Sequence, residues 1–157
     1  MIGTLTKEQI EHVLRSGLIG RIGCSDENGV YVVPVTYVYD DNYIYAHSRE
    51  GMKIQIMRKN PKVCFEVDSI ENMTNWRCVV VQGKFQELEA EAEETKAFKI
   101  LKDRLMPYLL SETMRPKGFD HGPERVEKER EPVVYRIKIN HVTGRYEKNS
   151  YMGNLPR

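Results

Sequence analysis

Short apolar runs separated by turn residues dominate the pattern along the chain, and most of these runs have the length of a β-strand. Their β-branched and aromatic residues predict about six strands. Turn residues such as Asp26-Glu27-Asn28-Gly29 join several of them directly. Strands with short connections favour a mainly β fold, a closed or split antiparallel barrel with peripheral helices, over a parallel α/β sheet. The predicted strands are 18–24, 30–39, 43–48, 63–68, 76–85 and 133–142.

Helical periodicity predicts three helices around these strands. Thr6 and Gln9 form a capping box in front of a short amphipathic helix that ends near Gly17. A second short helix is predicted over 54–59, and residues 47–53 form the junction that leads into it. A third is predicted from Glu87 to Leu110, kinked or ended by Pro107, with its apolar stripe at Phe98, Leu101, Leu105 and Leu109.

The junction in front of the second helix carries candidate chemistry, with Ser48 as the predicted N-cap. Because a helix N-terminus has free N–H groups and positive potential, the cations Arg49 and Lys53 are misplaced there unless an anion binds. A phosphate would take the N–H groups, the Ser48 hydroxyl and the Lys53 ammonium, and Gly51 would let the backbone approach it. The alternative is two solvated surface cations, one of them balanced by Glu50.

The predicted strand over 30–39 does not alternate, since apolar or aromatic side chains would occupy both of its faces. We therefore expect both faces to be covered, the second by a helix, a ligand or another subunit. Pro34 removes a ladder donor in mid-strand and demands an edge or a bulge. Neighbouring backbone groups would then be free for a planar heterocycle; the alternative is an ordinary edge-strand proline.

Two further segments contain candidate site residues. Trp76 and Arg77 begin a strand and could form a stacking platform with an anion clamp, or be a rim residue beside a surface charge. The polar stretch 111–131 is rich in Pro and Gly and predicts a long loop or a lid. His121 within it is a candidate base, or simply a solvated histidine.

Composition narrows the class of protein. The 157 residues are expected to form one domain, 1–157, and a formal net charge of +1, from 24 basic and 23 acidic residues, argues against nucleic-acid binding. The chain has no apolar run of membrane-spanning length and no secretory pattern, so a cytoplasmic protein without membrane attachment is expected. Cys24, Cys64 and Cys78 lack C-x-x-C spacing and predict reduced thiols, with neither disulfide nor metal site.

Taken together, these motifs resemble the pyridoxamine-phosphate-oxidase-like flavoproteins with the split-barrel FMN-binding fold. Within them the chain is most similar to the nitroimidazole-reductase, or nitroimidazole-resistance, branch. The resemblance runs from about Gly17 to Gly83 and continues more weakly over Val133–Gly144. The segments that carry it are 20–23, 33–39, 47–53, 60–67 and 76–83.

The resemblance implies a homodimer with two FMN sites at the subunit interface. It implies that the junction holds the flavin phosphate, that one strand lines the isoalloxazine edge, and that Arg77 and Cys78 lie close to the cofactor. The implied cofactor-binding residues are Val33, Pro34, Val35, Thr36, His47, Ser48, Gly51, Lys53, Arg77 and Cys78. The position of Cys78 usually holds a hydroxyl or amide residue, and a thiol is a weaker hydrogen-bond partner.

The leading functional hypothesis is an FMN-dependent oxidoreductase that reduces a small electron-poor compound, with NAD(P)H as a candidate electron donor. In such an enzyme the flavin performs the redox chemistry and the protein positions it. One alternative is a flavin- or haem-binding protein without turnover, with His47 as a haem ligand. Another is a pyridoxamine-phosphate-oxidase-type enzyme, although Val142–Arg157 lacks that enzyme's basic and tryptophan signature. A binding module without cofactor is the third.

Overall fold

The computed structural model describes residues 1–109 and 132–149. In this part of the chain, eight strands and three helices follow one another along the sequence. They are β1 (Ile2–Thr4), α1 (Lys7–Ser16), β2 (Ile19–Asp26), β3 (Gly29–Thr36), β4 (Val38–Asp40), β5 (Tyr43–Ser48), α2 (Met52–Lys59), β6 (Lys62–Asn72), β7 (Asn75–Glu87), α3 (Glu91–Leu109) and β8 (Val133–Lys148).

All of these strands belong to one antiparallel sheet with the order β3-β2-β6-β7-β8-β5-β4, and β1 pairs with β8. β3 and β4 follow each other in the chain but lie at opposite ends of this order, and β3 comes close to β5. In the described residues the sheet therefore curls around its core without pairing between its end strands. This architecture confirms the predicted mainly β, split-barrel fold.

The core lies inside the curled sheet and is closed at one end by α2. Phe65, Ile22 and Val81 are fully buried inside, together with Ile54 and Met57 of α2. A second, smaller cluster lies between α3 and the outer side of β5 and β8, and its buried members are Tyr45, Leu88, Ala97, Leu101 and Val134.

The strand count differs from the prediction for two reasons. β1 was not predicted, because three residues carry too little pattern to be recognised. The predicted strand 30–39 is broken at Tyr37, which is fully buried; its hydroxyl donates to the Leu14 carbonyl at 2.7 Å and its ring packs edge-on against Phe65. Anchoring Tyr37 in the core separates β3 from β4.

Several predicted boundaries were wrong. The polar residues 69–75 predict a loop, but β6 extends to Asn72 and only a tight hairpin turn precedes β7. Gly144-Arg145 predicts a turn, but Gly144 lies inside β8 opposite Val79. Of the predicted apolar stripe of α3, Leu101 is buried, whereas Phe98 is 45% exposed. In these cases cross-strand pairing and the packing of α3 on the sheet outweigh the local pattern.

Other predictions are confirmed or lie outside the described residues. Thr6 and Gln9 form the predicted capping box of α1, with Gly17 as C-cap. Pro107 lies inside α3, close to its end. The predicted loop 111–131, with His121, lies outside the described residues.

Three further properties hold for residues 1–109 and 132–149. No helix there is long and apolar enough to cross a membrane. In the same residues no three His, Cys, Asp or Glu side chains are grouped so that they could hold a metal ion. The three cysteines are free thiols.

Candidate functional site

The junction between β5 and α2, residues 47–53, presents an uncapped helix end. α2 begins at Met52 with Gly51 as its N-cap, and in the described chain no side chain bonds to the first N–H groups. The prediction of Ser48 as N-cap was therefore wrong; its hydroxyl donates to the Arg49 carbonyl at 3.1 Å. The free N–H groups and the helix dipole make this end attractive to an anion.

Charge pairing at the junction leaves Lys53 available. Glu50 accepts from the Arg58 guanidinium at 2.5 Å, and Arg58 also binds Glu87 through two nitrogens at 2.7 Å. Glu50 is thus committed to Arg58 and ties the junction to α2. Lys53 is half-buried, and within the described residues it forms no ion pair and no hydrogen bond. The charge of Lys53 acts to lower the pKa of the buried Cys24 thiol, but burial outweighs this effect and the thiol pKa is raised.

Open space lies in front of Gly51. A Cβ at this position would meet only the Arg49 carbonyl oxygen, at 3.9 Å, among the described atoms. The φ angle of Gly51 is 176°, an extended conformation that any residue adopts. Neither packing within the described chain nor backbone conformation therefore requires glycine at this position.

His47 lies on the side of β5 that faces α3. Its ring is half-buried and meets the ring of Phe98 edge-on, with centroids 6.2 Å apart. Its Nδ1 atom is buried without a hydrogen-bond partner among the described residues. Burial lowers the pKa of His47, so the imidazole is neutral near pH 7.

The segment Val33–Thr36 forms the end of β3. Val33 and Val35 point into the barrel, whereas Pro34 and Thr36 are exposed on the outer face. In the described chain β3 pairs only with β2, so Pro34 lies on an edge strand, as its missing N–H demands. β3 also comes close to β5, which brings this free edge to the side of the barrel where the junction lies.

The outer face of β3 is bare in the described chain, so of the three covers expected for it, a helix, a ligand or another subunit, no helix lies there. Val30 is 80% exposed and Val32 is 60% exposed. They border a groove of about 670 Å³ that crosses the outer face as far as β8. Apolar side chains in an open groove mark a surface for contact with another molecule.

Arg77 and Cys78 point to opposite faces of β7. Arg77 and Trp76 line a pocket of about 380 Å³ beside α1, and the Trp76 indole N–H donates to Glu147 at 3.0 Å. Cys78 lies half-buried on the outer face, where its thiol donates to Glu66 Oε1 at 3.3 Å. Burial, followed by this bond and the nearby carboxylates, raises the thiol pKa to about 12.

Within one chain, Arg77 and Cys78 are far from the junction. His47 pairs with Val134, and the next residue, Tyr135, pairs with Glu87 at the end of β7. Arg77 lies ten residues earlier on β7, roughly 30 Å away at the usual rise per residue. The structure thus brings together the junction and the edge of β3, and the placement of Arg77 and Cys78 beside the same cofactor stays a prediction that requires a second chain.

Two features near these residues were missed by the sequence analysis. Arg21 binds Glu66 at 3.1 Å and Asp68 at 2.8 Å on the outer face. The Glu66-x-Asp68 spacing on a strand, which places both carboxylates on one face, would have indicated this cluster. The fully buried Tyr135 hydroxyl, which has no hydrogen-bond partner in the described part of the chain, left no such signal.

Comparison with known proteins matches this fold to one family. The family model described as pyridoxamine 5'-phosphate oxidase matches residues 6–146. A protein of Rhizobium meliloti (strain 1021) with no characterised function is 27% identical over 148 residues, which cover 92% of this chain and 94% of that protein.

Solved structures share the fold. The crystal structure of a FAD-binding protein from Mesorhizobium loti has a TM-score of 0.75 at 29% identity, with 94% of this chain and 99% of that chain covered. A "putative 5-nitroimidazole antibiotic resistance protein" of Bacteroides thetaiotaomicron has a TM-score of 0.66 at 21% identity, with 93% and 89% covered, and shows the fold alone. Since the family model spans nearly all of the described fold, the chain belongs to the pyridoxamine 5'-phosphate oxidase family of split-barrel proteins.

Proposed function

We propose that the chain is an FMN-dependent oxidoreductase that reduces a small electron-poor compound with electrons from NADH or NADPH. The observation that carries the proposal is the β5–α2 junction. There an uncapped helix end, a half-buried lysine with no ion pair in the described chain and an open space at Gly51 converge on one position. A phosphate monoester satisfies all three, because it accepts from N–H groups, pairs with ammonium and occupies the space.

The residues present fit a flavin nucleotide. Lys53, Ser48 and the N–H groups after Gly51 would hold the phosphate, and the free edge of Val33–Thr36 would offer backbone groups to the isoalloxazine rim. When bound, the flavin supplies the redox chemistry, while the protein orients it and limits access to it. His47, neutral and beside the junction, would contribute a ring N–H or an acceptor without changing the charge of the site.

FMN is proposed over FAD because the junction accounts for one phosphate. The Mesorhizobium loti protein is described as FAD-binding, and both flavins share the ring and the first phosphate. Mass spectrometry of the flavin released from denatured protein distinguishes them.

A homodimer is part of the proposal. The groove on the outer face and the exposed Val30 and Val32 supply an apolar surface that a second copy would bury. A second copy would also bring its own Cys78 close to the flavin that the first copy holds. Within a single chain, Cys78 is too far from the junction for this contact. The site is then complete only in the dimer.

The test is the absorption spectrum of the purified protein, followed by anaerobic reduction with NADH and with NADPH. Bands of a bound flavin that bleach on addition of either nucleotide are the expected result. A Soret band would identify a haem protein instead, and a colourless protein that takes up no flavin would overturn the proposal. Oxidation of pyridoxamine phosphate, measured on the same sample, would identify the enzyme for which the family model is named.

A further inference from the structure

The outer face of the sheet holds a charged cluster around Cys78. Cys78 on β7 lies directly opposite Asp68 on β6, and Glu66 precedes Asp68 by two residues on the same strand. The Arg21 guanidinium bonds to both carboxylates, at 3.1 Å to Glu66 and 2.8 Å to Asp68. On the other side of Cys78, Arg145 of β8 lies directly opposite it, and the Arg145 guanidinium donates to the Thr4 hydroxyl at 3.2 Å.

The thiol of Cys78 has no proton to offer another group. A thiol carries a single S–H donor, and in this structure that donor points to Glu66 Oε1 at 3.3 Å. Its sulfur then presents only a weak acceptor to a neighbouring molecule. Burial, followed by the bond to Glu66 and the nearby carboxylates, raises the thiol pKa to about 12, so the thiol stays protonated.

We infer that Glu66 is a positioning residue that acts through Cys78 and lowers the midpoint potential of the bound flavin. This inference rests on the proposed function, in which Cys78 of one copy faces the flavin ring held by the other. Reduction places negative charge on the ring. A donor that is withheld and the Glu66 carboxylate that accepts it both disfavour that charge. The chain would therefore hold a more strongly reducing flavin than one with a free hydroxyl at this position.

Glu66→Gln tests the charge while it keeps an acceptor for the Cys78 thiol. In the flavin-loaded dimer, we expect this variant to favour the reduced flavin by about tenfold, which is about 30 mV for a two-electron couple. Glu71→Gln is the matched control, because Glu71 is exposed near the end of the same strand, away from Cys78. Its potential should equal that of the unchanged protein. Anaerobic equilibration with redox dyes measures all three.

Arg21→Gln is a second variant that changes the same cluster in the opposite direction. This substitution removes the cation that pairs with the two carboxylates. Because the Arg21 side chain is 48% exposed, the fold should tolerate the change. We expect the potential to fall in this variant. Opposite shifts in the two variants cannot arise from a general loosening of the protein.

A measurement on flavin-free protein tests the interaction between Cys78 and Glu66 directly. The rate at which a thiol reagent modifies Cys78, followed by peptide mass spectrometry across pH, gives the thiol pKa. This pKa should fall below about 12 in Glu66→Gln, because one of the charges that raise it is removed.

The outcomes separate the two proposals. If flavin binds, the dimer forms and the potentials of Glu66→Gln and Arg21→Gln both equal that of the unchanged protein, the inference about Glu66 is wrong and the proposed function stands. If the unchanged protein takes up no flavin, the proposed function itself fails.

Discussion

Both faces of β2 and β3 carry apolar side chains, but these side chains have different surroundings on the two faces. On the inner face Ile22 is fully buried and Val35 is 8% exposed, whereas on the outer face Val30 and Val32 are 80% and 60% exposed. The inner residues stabilise the chain's own fold. The outer residues contribute little to it by burial and are available to a partner. Apolar character alone therefore does not distinguish a core position from an interface position.

Shortening a buried side chain on the inner face of the sheet should have the largest effect on the free energy of unfolding. Phe65 is fully buried and packs edge-on against Tyr37, with ring centroids 4.9 Å apart. Phe65→Ala should lower the free energy of unfolding by about 3–5 kcal/mol, because it removes buried surface and leaves a cavity. Ile70→Ala on the same strand is the control, since Ile70 is 65% exposed. Urea unfolding at one protein concentration compares them, and equal losses would contradict the distinction.

A charge on the outer face should break association and not folding. Val32→Glu would bury an uncompensated carboxylate in the proposed dimer, which costs about 3 kcal/mol of association free energy. Sedimentation should show a monomer with unchanged secondary structure and weakened flavin binding. Ile2→Glu, on the exposed strand β1, should remain dimeric. If the protein without substitutions is a monomer at micromolar concentration and still binds flavin stoichiometrically, the flavin site does not lie at a subunit interface.

Lys53→Ala should weaken FMN binding by about 1.5–3 kcal/mol, the range for a hydrogen bond to a charged group. Lys59→Ala is the matched control, because Lys59 lies on the same helix, is exposed and pairs with Glu27 at 3.6 Å. Flavin titration at one salt concentration gives both dissociation constants. An unchanged constant in Lys53→Ala would remove this lysine from the site.

Substitutions at two glycines distinguish a position that ligand binding requires from a position that folding requires. Gly51→Ala should leave the free energy of unfolding unchanged and weaken FMN binding by about 1 kcal/mol, because its methyl group occupies only the open space. Gly20→Ala should instead destabilise the fold, since its Cβ would collide with the Phe65 ring and lie 2.9 Å from the Glu66 carbonyl oxygen. Unimpaired flavin binding in folded Gly51→Ala would place the phosphate elsewhere.

The smallest effect concerns His47 and pH. Burial lowers the pKa of His47 in the folded protein, whereas the unfolded chain has the ordinary value of about 6.5. The unfolded state therefore binds the proton first, and the contribution of His47 to stability is present above pH 6.5 and falls as the pH drops below it. His47→Gln should reduce this slope in flavin-free protein. Urea unfolding across this pH range measures the slope.

The sequence determined much of this protein locally. Apolar and polar residues alternate along 133–142, which predicts that Tyr135, Ile137 and Ile139 share one face of the strand. Tyr135 and Ile137 are buried on that face. Turn residues and strand lengths predicted the split barrel that the structure shows. The cations beside a short helix predict an anion site at the junction, which stays a prediction. Each of these depends on residues close together in the chain, whose periodicity or spacing specifies their geometry.

Only the tertiary structure decided the rest. It committed Glu50 to Arg58 and left Lys53 without an ion pair among the described residues, which no local pattern predicts, because Arg58 also binds Glu87 on a distant strand. It ended β3 by burying Tyr37, and it placed Cys78 against Glu66 from the neighbouring strand. Strand register and burial are properties of pairs of segments far apart in the sequence, so a pattern read along one segment cannot contain them.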